Sequence, residues 1–392
     1  MDFTKTRAVL KDRGAARVRA GHPWVYRSDV AGVEGEAGDV VRVTDRRGGF
    51  VGLAFYNPQS EISLRVATRE DEPVDELWFY GRLRDALDYR ESLQIDADAY
   101  RVLHAEADGV PGLVVDRYGD YLILQVGSAA VERRLGWVVR ALEDLLAPAG
   151  ILLRADSLAR KREGLDTAVR LLSGEVPESV VVREGPVRYR AYLWKGQKTG
   201  SFLDQRENHL AAGRYVPEAG RVLDVFSYAG GFALHAARRA ASVEAVDSSG
   251  AALEAARDNA ALNGLSNLTF IRKNAFDSLR ERSDAGERYD AVILDPPAFA
   301  KAKRDLPGAI RAYKEINLRA IKLLAPGGVL VSCSCSYHFS RELMQETLRS
   351  AAADVGRSIR VREWRGQAAD HPEILTVPET RYLKCAILER SE

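Results

Sequence analysis

Short apolar runs alternate with stretches of helical periodicity through the C-terminal half of the chain. Arg221-Val222-Leu223-Asp224-Val225-Phe226 is strand-like, Phe232 to Ala240 has helical character, and Val243-Glu244-Ala245-Val246 is a second strand-like run closed by Asp247. The order continues with a helix from Leu253 to Leu262, stopped by Asn263-Gly264, then Leu268-Thr269-Phe270-Ile271 and a fourth apolar run, Tyr289 to Leu294. Repetition of strand, helix and strand predicts an α/β fold, a doubly wound sheet beginning near residue 186.

Upstream the pattern differs. Val40-Val41-Arg42-Val43 and Phe50 to Phe55 are β-rich runs on either side of Asp45-Arg46-Arg47-Gly48-Gly49, whose glycines suit a hairpin turn. Ile62-Ser63-Leu64-Arg65-Val66 alternates as a half-buried strand does. With Gly21-His22-Pro23-Trp24-Val25-Tyr26, this segment resembles the small RNA-binding β-barrel known as the PUA domain. Between the two regions, Leu77, Leu83, Ala86 and Leu87 predict a helix from Val74 to Leu93, and a second helix is expected from Val131 to Leu146. Three segments follow: a PUA-like module over 1–70, a middle α+β connector over 71–185, and the wound sheet over 186–392. His104 and Asp108 in the connector read as structural.

Composition narrows the setting. A chain of 392 residues, 46% hydrophobic and 29% charged, is an ordered protein of more than one domain. Three cysteines cannot build a disulfide framework, and no apolar run reaches the roughly 18 residues of a membrane span, so the expectation is a cytoplasmic protein without membrane contact. Residues 1–69 carry 12 basic against 8 acidic side chains, 70–186 carry 14 against 23, and 187–392 carry 31 against 25. A nearly neutral total therefore hides two basic regions around an acidic one, which admits RNA as a partner.

The turn after the first strand of the wound sheet decides the ligand class. A dinucleotide loop would read Gly-x-Gly-x-x-Gly, whereas here Asp224 precedes the turn and only Gly230-Gly231 follow it. A carboxylate at that point repels phosphate and suits an ammonium, so S-adenosylmethionine fits better than NAD. Asp247 is placed to accept from ribose hydroxyls, and Asn274 to meet the adenine amino group.

At this point the chain resembles the class I S-adenosylmethionine-dependent methyltransferases. The matching series is Asp224 to Gly231, Asp247, Asn274-Ala275, Asp295-Pro296-Pro297 and Leu324-Ala325-Pro326-Gly327-Gly328, in the expected order. The resemblance implies cofactor contacts from Asp224, Phe226, Ser227, Tyr228, Ala229, Gly230, Asp247, Asn274, Ala275, Asp295 and Pro296. More narrowly, Lys198-Thr199-Gly200-Ser201-Phe202-Leu203-Asp204-Gln205-Arg206, Asp370-His371-Pro372 and Tyr382-Leu383-Lys384 are similar to a bacterial family of large-subunit ribosomal RNA cytosine-C5 methyltransferases that carries an N-terminal PUA domain. That likeness implies 23S ribosomal RNA as substrate and a homodimer; nothing in the residues separates ribosomal from transfer RNA.

The acceptor atom is argued from chemistry. Enzymes that methylate exocyclic base nitrogens place an aromatic directly after Asp-Pro-Pro, but Ala298 stands there and Phe299 comes one step late. Carbon 5 of a pyrimidine needs a thiolate at C6 before it will accept a methyl group. Two thiols are available in Ser332-Cys333-Ser334-Cys335-Ser336, just past an apolar run. Period-two alternation puts both on one face and cannot choose. Position along the chain assigns Cys333 to strand packing and Cys335 to the following loop, and the family likeness matches Ser334-Cys335-Ser336 to its nucleophile motif. Asp295 is expected at the base edge as a catalytic partner to Cys335. Lys198, Gln205, Arg206, Pro297 and Lys301 are candidates for RNA contact, or for holding the cofactor carboxylate. Cys385 reads as a core strand residue, and no zinc ligand set is present. Uracil-C5 or base-nitrogen methylation, and RNA binding without catalysis, are the alternatives.

Overall fold

The computed structural model describes residues 6–156, 158–196 and 198–391; the first five residues of the expected PUA-like module lie outside them. The chain forms two compact units. One comprises the residues up to Val182 with Ala191–Leu203 and Ala369–Thr380; the other comprises Arg183–Arg190, Asp204–Ala368 and Arg381–Glu392. Two stretches assigned by sequence to the C-terminal segment, 191–203 and 369–380, thus pack with the first unit. The chain enters the second unit at Arg183 and returns to the first at Ala191, both within the hairpin of Ser179–Glu184 and Val187–Tyr192.

The first unit holds two sheets. A six-stranded sheet runs in the order Trp24–Val25, Leu64–Thr68, Phe50–Tyr56, Val40–Asp45, Arg7–Leu10, Val30–Glu34. The expected hairpin is there, with Val40 opposite Phe55, and the Asp45 carboxylate accepts the turn N–H groups of Arg47 and Gly49. A helix over Asp12–Arg19, absent from the sequence reading, buries Ala15 and Val18 against Leu10, Val41 and Val43. It is too short for periodicity to reveal.

The second sheet runs Arg170–Gly174, Gly150–Leu153, Tyr121–Val126, Leu113–Tyr118, Ala99–His104. The helix Glu76–Ser92 matches expectation, capped by Asp75, which accepts the Trp78 N–H. The helix expected over 131–146 is instead two, Ala129–Arg133 and Leu135–Leu146, broken at Arg134, whose guanidinium donates to the Gly38 and Ala130 carbonyls. Buried polar pairs tie distant segments to this sheet. Arg90 forks onto Asp108 at 2.6 and 2.7 Å, and Arg101 onto Asp116 at 2.7 and 2.9 Å. Thr199 donates to Asp116 and contacts the Tyr118 hydroxyl, while Asp370 accepts the Arg101 N–H. Asp108 is thereby spent on Arg90, and burial holds His104 well below its ordinary pKa, which fits the structural reading of both.

The second unit is one seven-stranded sheet, with strands β1 (Arg221–Val225), β2 (Ser242–Asp247), β3 (Leu268–Arg272), β4 (Tyr289–Leu294), β5 (Leu324–Ser334), β6 (Ile359–Arg365) and β7 (Lys384–Arg390). Their order is β3-β2-β1-β4-β5-β7-β6, parallel from β1 to β5, with β7 antiparallel to both neighbours. Central strands covered on both faces are continuously apolar, which is why Val222, Leu223 and Val225 of β1 are all buried. Helices α1 (Arg206–Tyr215), α2 (Gly231–Ala237), α3 (Gly250–Leu262), α4 (Ala275–Asp284), α5 (Leu306–Leu323) and α6 (Arg341–Val355) supply the cover. The strand order reverses beside β1, between β2 and β4, and the carboxyl ends there are where such sheets bind ligands. Among the described residues, no helix is long and apolar enough to cross a membrane.

Candidate active site

Asp224 stands near the carboxyl end of β1, 1% exposed, and neither of its oxygens has a hydrogen-bond partner. The Ala233 amide pulls on it only weakly, without reaching hydrogen-bond geometry. Burial, then repulsion from Asp295, push its carboxyl up to about 8, with His209 opposing. An unsatisfied buried carboxyl of this kind is a socket for a cation.

The loop that follows is bent by left-handed residues, Phe226 at φ 67°, Tyr228 at 49° and Gly230 at 89°. For the two aromatics this conformation costs about 1–2 kcal/mol each. Several bonds hold it. Phe226 and Ser227 N–H groups reach the Val246 carbonyl, Tyr228 N–H reaches Asp247, and the Ala229 carbonyl accepts from Asn259. Asp247 also accepts the Ser249 N–H, so its two oxygens are oriented from behind and keep lone pairs for hydroxyl donors. Asn274 caps α4: its oxygen accepts from Phe276 and Asp277, which leaves the amide NH2 as the group it can offer a base, beside Ala275.

Behind Asp224 lies a buried trio that the sequence did not disclose. One Glu184 oxygen accepts from His209 Nδ1 at 2.8 Å and His235 Nε2 at 3.0 Å. Although burial opposes the charged forms, the His209 contact brings Glu184 down to about 2, and Glu184 holds His209 above its ordinary value; burial lowers His235. Of the two rings, His209 is thus the one biased toward the protonated form, and Asp295 and Asp224 add to that bias. The three facing atoms lie within 4.8 Å of one another, and shared protons satisfy them.

At the ends of β4 and β5, Asp295 accepts from Gln205 Nε2 at 2.9 Å, and Gln205 accepts in turn from Asn208. Gln205 is buried, so its amide orients Asp295 rather than reaching outward. Arg206 is likewise buried, at the start of α1. Cys333 belongs to β5, is 0% exposed and pairs in register with Cys385; burial raises its thiol well above the ordinary value. Cys335 follows the strand and is partly accessible.

The serines on either side of Cys335 point inward. Ser334 donates to the Tyr313 hydroxyl at 2.9 Å, which also meets Ser336 Oγ at 2.9 Å, and Ser336 Oγ accepts the Ala300 N–H. The two buried serines are locked to α5 and to the Asp-Pro-Pro loop, and the thiol between them is the partly accessible member of the three. Phe299 packs among Tyr313, Phe276 and Phe226, ring centroids 4.8 to 6.3 Å apart. Pro297 and Lys301 are exposed on this loop. Lys198 is in the first unit, over the Phe202 ring, whereas the other candidates belong to the second.

Sequence reasoning missed Glu184, His209 and Tyr313, and it gave no role to Lys384, which it quoted within the family-like stretch Tyr382-Leu383-Lys384. Only Lys384 left a signal, a lysine inside the apolar run Leu383 to Leu388, where charge is rarely buried without purpose.

Comparison with known proteins agrees with this geometry. Residues 8–69 match the family of PUA-like domains, and residues 134–363 match the S-adenosylmethionine-dependent methyltransferases. The chain is 41% identical over 372 residues to a protein of Klebsiella pneumoniae strain 342 named ribosomal RNA large subunit methyltransferase I, covering 93% of each. A protein of the same name from Escherichia coli O139:H28 is also 41% identical, over 93% of this chain and 94% of its own. Among solved structures, the methyltransferase SMU.776 with bound SAH superposes with a TM-score of 0.85 at 19% identity, covering 98% of this chain and 99% of that one. A SAM-dependent methyltransferase from Streptococcus mutans gives 0.83 at 18%, over 98% and 99%. These likenesses speak for the fold. The cofactor is S-adenosylmethionine, and the unpartnered Asp224 carboxyl and the oriented Asp247 carboxylate are groups whose chemistry fits an ammonium and hydroxyls.

Proposed function

The chain belongs to the S-adenosylmethionine-dependent methyltransferases, and on that premise we propose that it methylates carbon 5 of a cytosine in large-subunit ribosomal RNA through a transient bond between Cys335 and C6 of the base. The names of its relatives support the RNA class, as does the PUA-like module with its excess of basic residues. The observation that supports the carbon-methylation reading is the Ser334-Cys335-Ser336 loop, pinned through its serines to Tyr313 and carrying a partly accessible thiol just past the end of β5.

Bound S-adenosylmethionine supplies an electrophilic methyl group. The residues that would hold it are Asp224 for the ammonium, Asp247 for the ribose hydroxyls, and Asn274 with Ala275 for the adenine edge. Phe226, Ser227, Tyr228, Ala229 and Gly230 would contact it from the loop after β1, and Asp295 and Pro296 from the end of β4. Cys335 adds to C6 as a thiolate, which makes C5 nucleophilic toward that methyl group; once C5 carries the methyl, a base takes the C5 proton and the Cys335–C6 bond breaks, freeing the thiolate. Asp295, oriented by Gln205, hydrogen-bonds or protonates the N3 edge to favour addition. Pro297 and Lys301 line the approach of RNA, while Gln205 and Arg206 support from within. The target base must leave its stack, at about a few kcal/mol. Phe299 is committed to the Tyr313 cluster, which counts against a base-nitrogen enzyme that stacks its substrate on this loop.

The test is incubation of unmodified large-subunit RNA with labelled S-adenosylmethionine, using wild type and Cys335→Ala, followed by nucleoside analysis. Labelled 5-methylcytidine from the wild type, and none from a variant that still binds S-adenosylhomocysteine, is the expected outcome. Labelled 5-methyluridine, or full turnover by Cys335→Ala, would sink the reading.

A further inference from the structure

Lys384 occupies a position on β7 where a charge is costly. It is 5% exposed, between the buried Leu383 and Cys385, and lies opposite Ser334 in the β5 ladder. Its Nζ donates to the Ser336 carbonyl at 2.7 Å and the Tyr382 carbonyl at 3.0 Å. Among the described residues no carboxylate pairs with it, so two neutral acceptors hold a buried ammonium. Such bonds do not offset the loss of hydration by themselves; a neighbouring anion does. Burial brings Lys384 down to about 8, and the group that favours its charged form is the Cys335 sulfur.

From this geometry we infer that Lys384 is a positioning residue for Cys335: the ammonium, tied to the backbone of the thiol's own loop, holds Cys335 as the thiolate. The inference rests on the reading of Cys335 as nucleophile and supplies what that reading lacks, a source of thiolate at neutral pH. The sulfur loses its proton to solvent, and the negative charge stays beside the fixed cation. Other titratable groups face this corner. Tyr313 lies beside Cys335 from α5 and is kept neutral by burial; Cys333 and Cys385 lie beneath in the sheet; Asp295 comes from β4; Asp204 accepts from the Tyr382 hydroxyl. None of these is a cation, and the attraction to the Cys335 sulfur is that of Lys384.

Alkylation by iodoacetamide, followed at Cys335 by fragment mass spectrometry across pH 6–10, reads this directly. In the wild type the midpoint should fall below the ordinary thiol value of about 8.5. In Lys384→Met it should rise by about one pH unit or more, with alkylation at pH 7 slowed about three- to tenfold, because a more basic thiolate is also more nucleophilic. Binding of S-adenosylhomocysteine by the variant serves as the folding control. A wild-type midpoint at or above 8.5 overturns the inference without any variant, and so does an unchanged midpoint in a folded Lys384→Met. If Cys335→Ala is inactive but the midpoint is ordinary, the nucleophile reading stands and this inference falls. Turnover by Cys335→Ala removes both.

Discussion

Replacing Asp224 by asparagine separates what this side chain does for folding from what it does for binding. The carboxyl is buried without partners and titrates near 8 instead of its ordinary 3.8, chiefly through burial and then the Asp295 charge. The folded chain thus holds this proton more tightly than the unfolded chain does, and wild-type stability falls through this group as pH rises across that interval. The full interval corresponds to about 5–6 kcal/mol. Water entry and relaxation return part of it, leaving about 2–3 kcal/mol at pH 9, or about 4–12 °C in Tm for a unit of this size. Asparagine has the same shape and nothing to titrate. Asp224→Asn should therefore melt close to wild type at pH 5 and clearly above it at pH 9, while its affinity for S-adenosylhomocysteine drops about 10- to 100-fold through loss of a charged hydrogen bond. Scanning fluorimetry at pH 5 to 9 and calorimetric titration measure the two effects. Melting curves that stay parallel across pH, or an undiminished affinity, would refute the reasoning.

Two further outcomes follow from buried pairs, one in each unit. Glu184→Gln leaves the His209 charge without its partner and should cost about 3–5 kcal/mol at pH 7 in urea unfolding. Because Glu184 is held near 2, its contribution is present above 4.5 and lost as pH falls toward 2, so the acid-unfolding midpoint of the variant should move to higher pH. Asp108→Asn breaks the two-bond fork with Arg90 and should lower the stability of the first unit by about 3 kcal/mol, read from the same urea titration.

The wound sheet was legible because parallel strands buried on both faces leave uninterrupted apolar runs, and because acids at their carboxyl ends, Asp224, Asp247 and Asp295, interrupt those runs at the ligand side. Cys333 and Cys335 could be told apart as strand and loop for the same reason, since β5 ends at Ser334. Other features depend on pairings that no local pattern encodes. Lys384 meets Ser336 only through antiparallel pairing across 48 residues, and Glu184 meets His209 across 25. Gln205 looked like a hand for phosphate because polar side chains read as outward until burial is known; its amide in fact holds Asp295. The short helix at Asp12–Arg19 and the break at Arg134 escaped because eight residues give too little periodicity, and because a guanidinium bonding back to carbonyls resembles a solvated arginine in sequence.

The threading of the chain between its two units sets an order of assembly during synthesis. The six-stranded sheet is complete once Thr68 has emerged, but the five-stranded sheet buries Arg101 and Asp116 against Asp370 and Thr199, made 269 and 83 positions later. The first unit, although first to begin, therefore cannot finish until Thr380 has been made. Its polar interior stays open until most of the wound sheet has been translated, so a nascent chain stalled before Asp370 would leave the Arg101 backbone N–H and one Arg90 contact without their acceptors, the kind of half-built core that chaperones and proteases read as unfinished.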